Sequence, residues 1–115
     1  MSKDYQVITS DIVDYIRQMK PLIPGTMKGF YEMSAAASAD GALEKKTKEF
    51  IALAIGVAIR CDGCIGFHSK ALRDLGATRN EVAEVLGMAV YMGGGPSLMY
   101  AADALRAYDQ FAAAS

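Results

Sequence analysis

The chain is predicted to be an all-α helical bundle, and three observations predict it. Apolar residues recur at spacings of three and four along most of its length. No segment alternates cleanly between apolar and polar residues, and no Asn-Gly or Asp-Gly turn lies between β-rich runs. Asp40-Gly41 sits between two helix-like stretches instead. With 115 residues, 1–115 is expected to form a single domain, long enough to bury roughly two-thirds of its unfolded surface in one core.

About six helices are predicted. The first lies within Asp4 to Lys20, where Ile8, Ile12, Val13, Ile16 and Met19 form a stripe, and Pro21 stops it. Pro24-Gly25 opens the second, which runs to about Ala39 with Met27, Phe30, Tyr31 and Ser34 on one face. The third spans about Leu43 to Arg60. Its first half is charged, and its second half, Phe50 to Ile59, is apolar on every side, which predicts burial all round. The fourth starts inside a cysteine motif and ends at Gly76, a residue suited to the left-handed position after a helix. Thr78-Arg79-Asn80-Glu81 matches a capping box and opens the fifth, through Met92, with a core stripe of Val82, Val85, Leu86, Ala89 and Val90. Gly93-Gly94-Gly95 interrupts it as a tight turn or close helix contact, and Pro96 begins the sixth, through about Ala112.

Composition removes several function classes. A net charge of -1 leaves no electrostatic footprint for nucleic acid, and no basic run suggests an anionic membrane. No apolar stretch reaches the roughly 18 residues of a membrane span. The N-terminus, Met1 to Gln6, lacks the apolar segment of a signal peptide, so a cytoplasmic location is expected. The hydrophobic fraction of 52% is high for so short a chain, and surplus apolar surface of this kind predicts a homo-oligomer.

The chemistry is concentrated in Cys61-Asp62-Gly63-Cys64-Ile65-Gly66-Phe67-His68, which holds both cysteines and the histidine of the chain. In a cytoplasmic setting a Cys-x-x-Cys pair points to catalysis or metal binding rather than a permanent staple. At the start of the fourth helix, Cys61 lies near the N-cap and Cys64 in the first turn. There the free N–H groups and the helix dipole favour a thiolate, with Arg60 as a nearby cation. His68 is four residues after Cys64, on the same helix face, and is placed to act as its base. The stripe Cys61, Cys64, Ile65, His68, Leu72, Leu75 is expected to face inward. Glu49 is the last charge before the apolar run. In an antiparallel hairpin, Glu49 lies eleven residues, or about 16 Å, before Arg60, and His68 lies six residues, or about 9 Å, after Asp62. Closing that mismatch of about 7 Å requires a bridging water or an offset between the helices. Two other readings of the cysteines stay open: zinc held by Cys61, Cys64, His68 and Glu49, and a purely structural buried pair. Covalent haem attachment is disfavoured because Ile65 stands where its motif needs histidine.

Glu49, then Cys61-x-x-Cys64-x-x-x-His68, resembles the signature of the alkylhydroperoxidase D-like (AhpD-like) branch of the carboxymuconolactone decarboxylase family, and the segment from Gly41 to Ala54 resembles the helix leading into it. The resemblance covers roughly Pro21 to Tyr91. It implies an all-α fold assembled as hexamers or trimers, and a thiol-dependent peroxidase or disulfide oxidoreductase in antioxidant defence. By that analogy Cys64 is the attacking cysteine, Cys61 the resolving one, and His68 with Glu49 the proton relay. The substrate would be a hydroperoxide or disulfide, and the reductant a dithiol protein or lipoyl-type partner, with no cofactor or metal. The best-known members carry a second histidine between the cysteines. Here those positions are Asp62 and Gly63, and Asp62 disfavours a nearby thiolate. The family's lactone decarboxylases, which do not need a dithiol, and a non-catalytic redox sensor are the alternative readings.

Overall fold

The computed structural model of the chain describes residues 2–114. These form six α-helices and no strand: α1 Tyr5–Met19, α2 Pro24–Ser38, α3 Lys45–Ala58, α4 Asp62–Asp74, α5 Arg79–Gly93 and α6 Gly95–Ala113. Local chemistry sets the boundaries. The Asp4 carboxylate accepts from the N–H groups of Gln6 and Val7 at the start of α1. Pro24 opens α2. The Thr78–Glu81 capping box is complete, with Thr78 Oγ1 accepting from Glu81 N–H at 3.1 Å and Glu81 Oε1 accepting from Thr78 N–H at 2.9 Å. Gly94 takes φ +73° between α5 and α6, the backbone reversal for which the glycine run is suited.

The centre of the bundle is α3, α4, α5 and α6, with α1 laid across α4 and α6. Leu53 and Val57 from α3 meet Ile65 and Leu72 from α4, and Val82, Leu86 and Ala89 from α5. On α6 the buried face is Ala101, Ala104, Ala107 and Phe111. Three alanines in a row at helical spacing let α4 and α5 approach α6 closely. Each fully buried leucine, isoleucine or valine contributes about 1.5–3 kcal/mol of burial.

The outer helices depart from the sequence expectation. The predicted stripe of α1 is only half-buried, Met19 is exposed, and the fully packed residues are Tyr5 and Thr9. On α2 only Met27 is buried, while Phe30 and Tyr31, expected on the packed face, are exposed. Leu75 is also partly exposed rather than inward. The largest correction concerns Phe50 to Ile59. That run is not buried all round: Ile51, Ile55 and Ile59 are 46%, 54% and 64% exposed. They lie at i, i+4 and i+8, so they form one stripe on the side of α3 opposite Leu53 and Val57. A Cα radius of gyration of 14.4 Å, against about 13 Å for a compact chain of this length, reflects the outlying α2.

Candidate functional site

The turn from α3 into α4 builds the site. Ile59 ends α3, and Arg60 takes a left-handed conformation, φ +59°. Arg60 N–H bonds to Val57 O at 3.1 Å, and Cys61 N–H to Gly56 O at 2.9 Å. This pair of bonds is a Schellman termination, with arginine where glycine is usual. The α4 C-terminus repeats it with glycine: Gly76, φ +80°, bonds to Arg73 O, and Ala77 to Leu72 O. The reversal at Arg60 delivers Cys61 directly to the N-cap of α4, where its Sγ accepts from Cys64 N–H at 3.2 Å.

Cys61 and Cys64 form a disulfide, with Cα atoms 5.2 Å apart. Both residues are half-buried. Their sulfurs therefore stand at the positive end of α4, where a released thiolate finds N–H donors.

The structure brings Glu49 and His68 together directly. His68 Nδ1 is 2.5 Å from Glu49 Oε2. No bridging water is needed, because the two helices are offset, the other of the two routes the sequence left open. The reason lies at Gly56. A Cβ placed there would sit 3.0 Å from Cys64 Cβ, so α3 and α4 cross closely at Gly56 and Cys64 rather than at the turn itself. Counted from that crossing, Glu49 is about 10 Å and His68 about 6 Å along their helices, and two long side chains span the difference. Glu49 is only 8% exposed, whereas the His68 side chain keeps 33% of its surface. A buried carboxylate fixes Nδ1 as the protonated nitrogen, and Nε2 is left as the basic one.

Three features near the dithiol have no signal in the local sequence. Asp62, the first residue of α4, is held by Lys3 Nζ at 2.9 Å and by Tyr5 O–H at 3.0 Å, both on Oδ1. Burial, then the bond to Asp62, push the Tyr5 phenol well above its usual range, so it remains a donor. Ile12 of α1 lies over Gly63: a Cβ there would come within 2.9 Å of Ile12 Cδ1. A side chain at Gly63 would therefore require the tip of Ile12 to shift. These partners are more than 50 residues away in sequence, so no motif could have announced them.

A groove of about 380 Å³ is lined by residues of α1 and α4 with Phe111, and another of about 480 Å³ lies along α6. Neither is lined by Cys61, Cys64, His68 or Glu49. Among the described residues no cluster of three or more His, Cys, Asp or Glu side chains is arranged to hold a metal ion, and no helix is long and apolar enough to cross a membrane.

Known proteins share this fold. A crystal structure of a carboxymuconolactone decarboxylase family protein from Legionella pneumophila superposes with a TM-score of 0.92 at 56% identity, covering 94% of this chain and 96% of that one. A family member from Thermotoga maritima matches with a TM-score of 0.75 at 26% identity, over 87% and 88% of the two chains. An uncharacterized protein of Cupriavidus necator is 47% identical over 87 residues, 75% of this chain and 76% of its own length. The model of the carboxymuconolactone decarboxylase family matches residues 24–107, from the start of α2 into α6 and across the whole Glu49–Cys61–Cys64–His68 constellation. By the extent of that match and the identity of its relatives, this chain is a member of the carboxymuconolactone decarboxylase family.

Proposed function

We propose that the chain is a thiol-dependent peroxidase or disulfide oxidoreductase of the AhpD-like kind, with Cys64 attacking, Cys61 resolving, and His68 and Glu49 relaying the proton. The observation that carries this reading is the direct contact of His68 with Glu49 beside the Cys61–Cys64 disulfide at a helix N-terminus. An antioxidative role has been suggested for the Thermotoga maritima relative, and the same class of role suits this site.

His68 Nε2 takes the Cys64 proton, and the thiolate attacks the peroxide oxygen. An S–O bond forms, the O–O bond breaks, and the departing alkoxide takes the proton back to leave as alcohol. Cys61 then attacks the Cys64 sulfenic acid, closing the disulfide and releasing water. A thiolate of a reducing dithiol attacks Cys61, and Cys64 leaves. The second thiol of the reductant completes the exchange.

The reading extends to assembly. Phe30, Tyr31 and Met33 of α2, Ile51, Ile55 and Ile59 of α3, and Met88, Tyr91 and Met92 of α5 are all exposed on the single chain. So much large apolar surface suits burial against further copies, as a hexamer or trimer. Sedimentation measures that directly.

The deciding experiment is peroxide consumption by reduced protein, with thiols counted before and after. Loss of two thiols per chain that Cys64→Ser abolishes supports the scheme. Unchanged thiols under excess peroxide overturn it. A redox sensor would oxidise but fail to turn over with any dithiol.

A further inference from the structure

Lys3 joins the dithiol to a part of the chain that the family match does not reach. Its Nζ lies 2.9 Å from Asp62 Oδ1 and 2.9 Å from Asp103 Oδ2, and 4.9 Å from the centre of the Tyr100 ring. Tyr5 O–H completes the grip on Asp62. The matched segment begins at residue 24, so Lys3 and Tyr5 both precede it.

Asp62 directly follows Cys61 and occupies the first position of α4. A free carboxylate there opposes a thiolate on Cys61, against the pull of the Cys64 N–H. Charged and titratable groups face this corner from several elements. The α4 terminus gives Asp62, the preceding turn Arg60, and the chain leading into α1 gives Lys3 and Tyr5. The α6 groups are Asp103 and Arg106, 3.9 Å apart, and on the other side of the dithiol stands the His68–Glu49 pair. Around Asp62, the cations Lys3 and Arg106 balance the carboxylates Asp62 and Asp103. Hydrogen bonding to Asp103, then to Asp62, raises the Lys3 ammonium above its ordinary pKa despite partial burial, so it stays charged through the neutral range.

We propose that Lys3 is a positioning residue for the dithiol: by pairing with Asp62 it cancels the negative charge beside Cys61 and keeps the Cys61 thiolate accessible at neutral pH. The proposal deepens the redox reading of the pair and rests on it. With dithiothreitol as reductant, two electrons pass from its thiols to the Cys61–Cys64 bond; the reagent closes to its own ring disulfide, and Cys61 and Cys64 are released as thiols. Lys3 acts on the proton that Cys61 then holds or loses.

The test reads Cys61 itself. Full-length reduced protein is alkylated with iodoacetamide between about pH 5 and 9, and modification of Cys61 is followed by mass spectrometry. Lys3→Met is expected to slow alkylation at pH 7 about threefold and to move the whole profile to higher pH. Lys3→Arg should keep the native profile. Asp62→Asn, which retains an acceptor for Tyr5, should restore the native rate in the Lys3→Met background. An unshifted profile in Lys3→Met, or a double variant as slow as the single one, overturns the proposal. If Lys3→Met does not fold, Asp62→Asn alone decides: a native or faster rate supports the proposal, and a slower one overturns it. Failure of peroxide turnover in every variant would remove the peroxidase reading while leaving this profile fully readable.

Discussion

Replacing Gly66 by alanine tests how tightly α1 is seated on the dithiol helix. Gly66 is buried in α4. An added Cβ would lie 2.6 Å from Thr9 Cγ2 and 3.3 Å from Tyr5 Cδ1. The first distance is about 1 Å inside an ordinary carbon contact. Thr9 does not yield easily, because it is β-branched and its Oγ1 donates to Tyr5 O at 2.9 Å. Overpacking of this kind costs about 1–3 kcal/mol. Against it stands a gain of about 1 kcal/mol from alanine over glycine inside a helix. The clash wins, by about 1 kcal/mol, which for a chain of this size lowers Tm by about 4 °C. Thr9→Ser removes Cγ2 and keeps the hydroxyl. In that background Gly66→Ala should become stabilising, a coupling of about 2 kcal/mol in a double-mutant cycle. Thermal unfolding followed by circular dichroism at one fixed protein concentration measures all four forms. A Tm for Gly66→Ala at or above the native value, or effects of the two substitutions that simply add, would refute the packing argument.

Three further outcomes are expected. Glu49→Ala leaves both thiols in place but frees His68 Nδ1, and should slow peroxide-driven disulfide formation about 10- to 100-fold, less than the roughly 10²–10⁴-fold cost of removing a general base outright; stopped-flow thiol loss checks it. Arg60→Gly relieves the left-handed residue of the α3 termination and should raise stability by about 1 kcal/mol in urea unfolding. Asp109 is held below the ordinary carboxylate range, first by its hydrogen bonds from Arg79, at 2.9 Å each to Nε and Nη2. A depressed carboxylate contributes stability that is present above its unfolded pKa and is lost as pH falls through the folded one. Asp109→Asn should therefore flatten part of the acid limb of the stability curve, below about pH 4, and leave its neutral region unchanged in slope.

The legibility of the site in the sequence divides along its contacts. Cys61, Cys64 and His68 are close in sequence, and their roles on one helix follow from 3.6-residue geometry. Glu49 stands out in the sequence at the edge of an apolar run, but counting residues from the turn overstates its distance from His68. A hairpin count places the closest approach at the turn, whereas Gly56 admits Cys64 and moves the crossing deeper into α3. Lys3, Tyr5 and Ile12 were not legible at all, since nothing local ties them to residues 61–64. The apolar run from Phe50 to Ile59 misled for a different reason. Hydrophobicity alone does not say which faces of a helix pack inside its own chain, and Ile51, Ile55 and Ile59 do not.

By itself, the sequence determined the all-α class, the order of the six helices with their caps at Thr78 and Gly76, and the dithiol at the head of α4. These depend on short-range terms: helical periodicity, capping hydrogen bonds and the φ preferences of glycine and proline. Only the tertiary structure decided that Glu49 touches His68, that α1 closes over Gly63 and Gly66, and that Lys3 holds the carboxylate beside Cys61. Those contacts depend on where two helices cross, and crossing is set by the fit of whole surfaces, which no local pattern encodes.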